Sequence, residues 1–189
     1  KAENLDKAQI QLDGKSEIIT PNIEFSGVKN GILALDKDSK LTSANGNANV
    51  EVSGADSSLT IGILGDKNFD INAQGGSTIT LGLLESRDKT QMPSANFSGK
   101  ITAKDSSVVT TALESIKASV DLSGSASLVA KNIMLDSTHN SIALQDNAKL
   151  TADIITAKNL NNLTLNAADT ANLNISKFIF DGVTTQLIG

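Results

Sequence analysis

Two stretches decide the fold: Leu59-Thr60-Ile61-Gly62-Ile63-Leu64 and, 20 residues on, Ile79-Thr80-Leu81-Gly82-Leu83-Leu84. Every position is identical or exchanges one aliphatic side chain for another. Within each stretch apolar residues alternate with Thr and Gly, the period of two that gives a strand one buried and one solvated face. Repetition at such an offset implies equivalent places in successive structural units. The same alternation recurs in Val120/Leu122, Leu163/Leu165, Leu173/Ile175 and Phe178/Phe180.

Working outward, an apolar residue followed by Ser-Gly recurs as Phe25-Ser26-Gly27, Val52-Ser53-Gly54, Phe97-Ser98-Gly99 and Leu122-Ser123-Gly124. With Gly75 in the series and turn-forming Asn147 and Asp169 continuing it, the steps run from 21 to 27 residues. Gly, Asn, Asp and Ser tolerate the dihedrals of tight turns, so they close short strands. The pattern predicts an all-β fold: a right-handed parallel β-helix (a β-solenoid) with coils of about 20–27 residues, residues 1–189 forming one domain. One coil cannot bury its apolar face alone, whereas stacked coils share a continuous aliphatic column. Leu59 should therefore stack on Ile79, and Leu163 on Ile175, along one shared spine. About eight coils at roughly 4.8 Å make a rod of roughly 35–40 Å. Like Ser, Thr or Asn residues at equivalent positions can ladder along it.

A β-sandwich or jelly roll also uses short strands with frequent turns. Only two prolines and the 20-odd-residue period favour the solenoid. The best helical spacing, Leu113, Ile116 and Val120 within Val109–Val120, reads equally well as two strands. Neither Lys1–Gln11 nor Thr184–Gly189 reads as a polar cap. Phe178-Ile179-Phe180, with Val183 and Leu187-Ile188-Gly189, reads as a strand pair awaiting another coil. The chain is accordingly expected to be a segment of a longer protein.

Composition narrows function. The 189 residues carry a net charge of −5, five Phe, no Trp, Tyr or Cys, and one His. Nucleic-acid binding needs basic patches and stacking aromatics, so no nucleic-acid partner is expected. No Cys and a single His argue against a zinc site, a thiolate nucleophile and a Ser-His-Asp triad. No apolar run approaches the roughly 20 residues of a spanning helix.

The ragged coil, segments such as Ser127-Leu128-Val129-Ala130-Lys131-Asn132-Ile133-Met134-Leu135 and Asn161-Asn162-Leu163-Thr164-Leu165-Asn166-Ala167, and the Cys-free, Asn/Ser/Thr/Gly-rich composition resemble the passenger domain of a bacterial type V autotransporter, in its adhesin-like or vacuolating-cytotoxin-like form. That resemblance implies export through the outer membrane to the cell surface or medium. It also implies an outer-membrane β-barrel translocator in the full-length precursor, and a reason for absent Cys, since a disulfide hinders threading through a narrow pore. The function it implies is non-catalytic adhesion to host cell-surface or matrix molecules, or self-association. Alternatives are an oligomerising, receptor-binding toxin subunit and a polysaccharide-active β-helix enzyme. No cofactor is expected.

Candidate sites are few. Asp36 and Asp38, two apart, would share a strand face and could cluster with Asp13 or Asp56 of neighbouring coils, a set of oxygens that calcium accepts; solvated turn acids explain them as well. Nominating two of 21 acids as a glycosidase pair carries no weight without Trp or Tyr to stack a sugar. His139, in the polar run Asp136-Ser137-Thr138-His139-Asn140-Ser141, reads as exposed decoration. Lys104-Asp105, Lys131 and Lys158 read as isolated surface charges that protect edges. The longest break in the strand rhythm is Glu85–Asn96, which holds the only Arg and one Pro. Solenoid insertions emerge on one face and carry binding, so Glu85, Arg87, Asp88, Lys89, Gln91 and Met92 form the candidate contact loop. No catalytic or metal-binding residue is nominated.

Overall fold

The computed structural model describes residues 1–84, 94–184 and 186–188. The candidate contact loop Glu85, Arg87, Asp88, Lys89, Gln91 and Met92 lies outside the described residues. Among those described, every regular element is a strand. The first third of the chain forms β1 (Ala2–Glu3), β2 (Ala8–Leu12), β3 (Glu17–Ile19), β4 (Asn22–Ser26), β5 (Gly31–Leu35), β6 (Lys40–Thr42) and β7 (Asn49–Ser53). Then come β8 (Ser58–Ile63), β9 (Gly65–Asn68), β10 (Asp70–Gln74), β11 (Thr78–Leu83), β12 (Ala95–Ala103), β13 (Val108–Thr111) and β14 (Ile116–Leu122). The last third holds β15 (Ser127–Leu135), β16 (Ser141–Leu144), β17 (Lys149–Lys158), β18 (Leu163–Ala167), β19 (Asn172–Asp181) and β20 (Gln186–Ile188).

All strand pairings are parallel, and they fall into three columns that the chain visits in turn. On the first face β2, β5, β8, β11, β13, β15, β17 and β19 stack in that order. The second face holds β3 and β6, then β9 followed by the early part of β12 and β14 and the late part of β15, β17 and β19. On the third, β1, β4, β7, β10, the late parts of β12 and β14, β16, β18 and β20 follow one another. The result is a β-solenoid of about 7 turns. Several strands run through a corner and serve two faces, which is why they reach 9 or 10 residues.

The decisive repeat lies where its sequence placed it. Leu59 pairs with Ile79 and Ile61 with Leu81, and all four are at most 1% exposed. Leu163 and Ile175 do not stack on each other: they join the same core from different faces, β18 carrying Leu163 on the third and Ile175 pairing with Ala152 on the first. The outward residues form the expected ladders. Thr60, Thr80 and Thr110 are successive partners, as are Asn22 and Asn49, and Ser26 and Ser53. Each fully buried aliphatic side chain contributes about 1.5–3 kcal/mol, and the core runs unbroken from Leu12 to Leu165. Val109–Val120 falls in two consecutive strands, β13 and β14, because Val109, Ile116 and Val120 each sit in an inward column.

The turn column needs correction. Left-handed residues stack between the third and first faces at Gly27, Gly54, Gly75, Asp105, Gly124, Asp146 and Asp169. Asp105 replaces Gly99 in the series, and Asp146 replaces Asn147. An Asp at such a site accepts the φ penalty because its carboxylate takes a backbone N–H of the adjoining turn. Asp105 Oδ2 accepts from Gly75 N at 2.9 Å, Asp146 Oδ2 from Gly124 N at 2.9 Å, and Asp169 Oδ2 from Asp146 N at 3.2 Å. Asp105 is therefore part of a turn ladder and not an isolated charge. Phe97-Ser98-Gly99 resembles the other Ser-Gly units only in letters. Phe97 belongs to the second-face column, between Lys67 and Ile116, so Ser98 is a strand residue facing outward. The step from Gly75 to Asp105 is the longest, 30 residues, because that turn contains the 85–93 segment.

Candidate functional site

The second face carries a groove of about 490 Å³, lined chiefly by Asp66, Asn68, Asn96, Ser98, Lys117 and Met134. Register explains the grouping: Asn68, Ser98, Lys117 and Met134 are successive partners in one outward row. Asp66 and Asn96 pair in the next row, where Asn96 Nδ2 donates to Asp66 Oδ1 at 2.8 Å. Asn96, assigned by sequence to the end of the break, is thus in β12. Ser115 also lines the groove, and its buried Oγ has no hydrogen-bond partner among the described residues.

At the corner beside this groove, residues 136–140 close a tight loop. Asp136 N donates to His139 O at 2.8 Å, while Thr138 N and His139 N each donate to Asp136 Oδ1 at 2.9 Å. Asp is suited to this role because its short carboxylate reaches backbone N–H groups two and three residues ahead. The loop folds His139 against the wall, leaving it 9% exposed. The reading of His139 as exposed decoration is therefore wrong: Asp136 and Ser98 give its ring two partners. His139 Nδ1 lies 3.1 Å from Asp136 Oδ1, and Nε2 lies 3.4 Å from Ser98 Oγ.

Proton positions follow from chemistry. A carboxylate only accepts, so Nδ1 carries the hydrogen, and in the neutral ring Nε2 is then left as the acceptor for the Ser98 hydroxyl. Lys117 Nζ sits 3.2 Å from Asp136 Oδ2. Burial pushes the Asp136 carboxyl up, but the His139 and Thr138 N–H groups, Lys117 and the imidazole outweigh it and hold the pKa at about 2. Because the folded value is depressed, this contribution to stability is complete above the unfolded pKa near 4 and is lost as pH falls through about 2. Asp136→Asn is expected to be less stable than the parent at pH 6, with the difference shrinking between pH 4 and pH 2; urea unfolding across that range reads it.

A second polar feature lies inside the coil. Lys67 occupies the inward position equivalent to Phe97 and Ile116, yet is only 5% exposed. Among the described residues no strand pairing joins β6 to β9, and Lys67 Nζ spans that gap, donating to Lys37 O at 2.9 Å and Ser39 O at 3.1 Å. Burial lowers its pKa despite the attraction of Asp36, Asp38 and Asp66. Between the lowered value and the ordinary lysine value the unfolded chain binds more protons, so stability rises with pH there. Lys67→Met fills the space without donors; a loss of about 1–2 kcal/mol at pH 7 is expected, together with disappearance of that alkaline rise, both readable by urea unfolding.

The acidic residues singled out by sequence do not converge. Asp36 and Asp38 lie in a corner and not on a strand, Asp36 accepting from Gly14 N at 3.3 Å and Lys37 N at 2.7 Å. Asp13 accepts from Gln11 Nε2 at 3.0 Å, and Asp56 sits at a different corner. Among the described residues no three His, Asp or Glu side chains gather. Lys131 pairs with Glu114, and Lys158 lies 3.7 Å from Asp181.

Compared with protein-family models, curated proteins and solved structures, the chain matches none.

Proposed function

We propose that this chain is a binding scaffold displayed on the bacterial surface or secreted, the passenger portion of an autotransporter whose precursor supplies an outer-membrane β-barrel. Its work is adhesion to host cell-surface or matrix molecules. The reading is carried by one observation: outward positions on neighbouring turns are in register, so polar side chains form straight rows along the rod, as in Thr60, Thr80 and Thr110. A ligand lying along such a row meets a threonine hydroxyl on each of three successive turns, and many weak contacts replace one deep pocket. Cys-free composition supports export in an extended form.

Two measurements test it. Intact cells producing the full reading frame should lose this region to added protease, whereas a region protected until lysis would refute surface display. Fluorescently labelled protein should bind epithelial cells or immobilised matrix saturably. Linear, non-saturable uptake equal to that of an unrelated β-solenoid would refute adhesion.

A further inference from the structure

Beyond the binding role, we propose that Ser98, His139 and Asp136 form an acyl-transfer site that hydrolyses short acyl esters held in the second-face groove. The inference does not depend on surface display, because it stands on one cluster of side chains. Each part of the chemistry has an occupant. Asp136, ionised and fixed by two backbone N–H groups and Lys117, orients the ring through Nδ1–H. That leaves His139 Nε2 free to take a proton, and the group facing it is a serine hydroxyl. This is the order of roles by which an unactivated hydroxyl becomes a nucleophile. The Nε2 to Oγ separation of 3.4 Å is long, as such contacts are before a substrate closes the site.

Three further observations place a substrate there. The groove opens on Ser98 itself. Lys117 is the register partner of Ser98 on the next turn; it spends one N–H on Asp136, which leaves two to meet negative charge developing on a carbonyl oxygen. The remaining walls divide by chemistry. Asn68, Asn96 and Asp66 suit a hydroxyl-rich carrier, while Met134 offers an apolar place for a small acyl chain. The substrate class is therefore a short-chain ester on a sugar or polyol. Ser98 Oγ bonds to the carbonyl carbon as its proton passes to His139 Nε2. The ester C–O bond breaks, and His139 returns the proton to the departing alkoxide. Water then attacks the acyl-serine with His139 again as base, releasing the acid and restoring the hydroxyl.

The test uses the whole purified chain, p-nitrophenyl acetate and a fluorophosphonate that phosphonylates activated serines. The parent should hydrolyse the acetate above the buffer rate and carry the adduct on Ser98 by peptide mass spectrometry. Ser98→Ala and His139→Gln should each lower the rate about 100-fold or more and abolish the adduct, whereas Ser119→Ala, an outward serine on the same face system, should change neither. Unfolding curves for Ser98→Ala matching the parent separate loss of chemistry from loss of fold. A parent no faster than Ser98→Ala, or an adduct that persists in Ser98→Ala, overturns the proposal. Cell binding retained by Ser98→Ala leaves the adhesive reading intact, so the two can fail separately.

Discussion

Replacing Gly99 with alanine should unfold the middle of the rod, at a cost of about 3 kcal/mol or more. Gly99 is extended and sits where β12 turns from the second face to the third. A Cβ there would lie 1.9 Å from Phe69 O and 2.9 Å from Phe69 C, both backbone atoms of the preceding turn. No rotamer change relieves such a contact; the turns themselves must separate. Two hydrogen bonds would move with them, Phe69 N to Ser98 O at 3.2 Å and Lys100 N to Asp70 Oδ1 at 2.8 Å. Gly82 is the control. It too is a strand glycine, yet the nearest atom to its Cβ position is the Ala112 Cβ at 3.8 Å. Gly82→Ala should stay within about 0.5 kcal/mol of the parent. Urea midpoints for the two variants measure the difference; equal midpoints would mean that β10 and β12 do not approach at this corner.

The second large effect is expected from Phe97→Ala. Phe97 is 2% exposed and meets Phe69 edge to face, with centroids 5.1 Å apart and planes at 73°. Removing the ring deletes its burial, leaves a cavity and strips Phe69 of its partner, about 3–5 kcal/mol in all. Phe180, an aromatic on the same face system near the end of β19, is 41% exposed and stacks on Phe178 at 5.9 Å. Phe180→Ala should cost less than about 1 kcal/mol. Similar losses for both would contradict the inward assignment of Phe97.

Most of the fold was legible because stacking demands that like residues recur. The Leu59–Leu64 and Ile79–Leu84 stretches are partners because each inward aliphatic needs an aliphatic above and below it. What period alone could not separate is which face a unit occupies. Phe97-Ser98-Gly99 has the letters of a turn but lies on a strand, since three faces with similar apolar alternation each produce such triplets. The 30-residue turn between Gly75 and Asp105 also displaced the count, so Gly99 filled the gap in the series by chance. The burial of His139 is not legible locally because Ser98 is 41 residues distant and Asp136 reads as an ordinary turn former. Lys67 was invisible for a related reason. Nothing local in Asp66-Lys67-Asn68-Phe69 says that a lysine takes an inward place; the unpaired gap between β6 and β9 is a property of neighbouring turns.

Successive turns lie directly over one another on the first face. The chain has no cysteine, so introduced pairs are its only thiols and accept spin labels cleanly. Thr60, Thr80, Thr110, Val129, Thr151 and Asn174 are consecutive partners on the first face. Labels at Thr60 and Thr151, four steps apart, should give a pulsed-EPR distance centred at about 19 Å, and labels at Thr60 and Asn174, five steps apart, about 24 Å. An increment of one strand spacing per turn is the expected result. Distances that fail to grow with the number of turns, or that exceed about twice these values, would contradict the stacked arrangement on which every other inference rests.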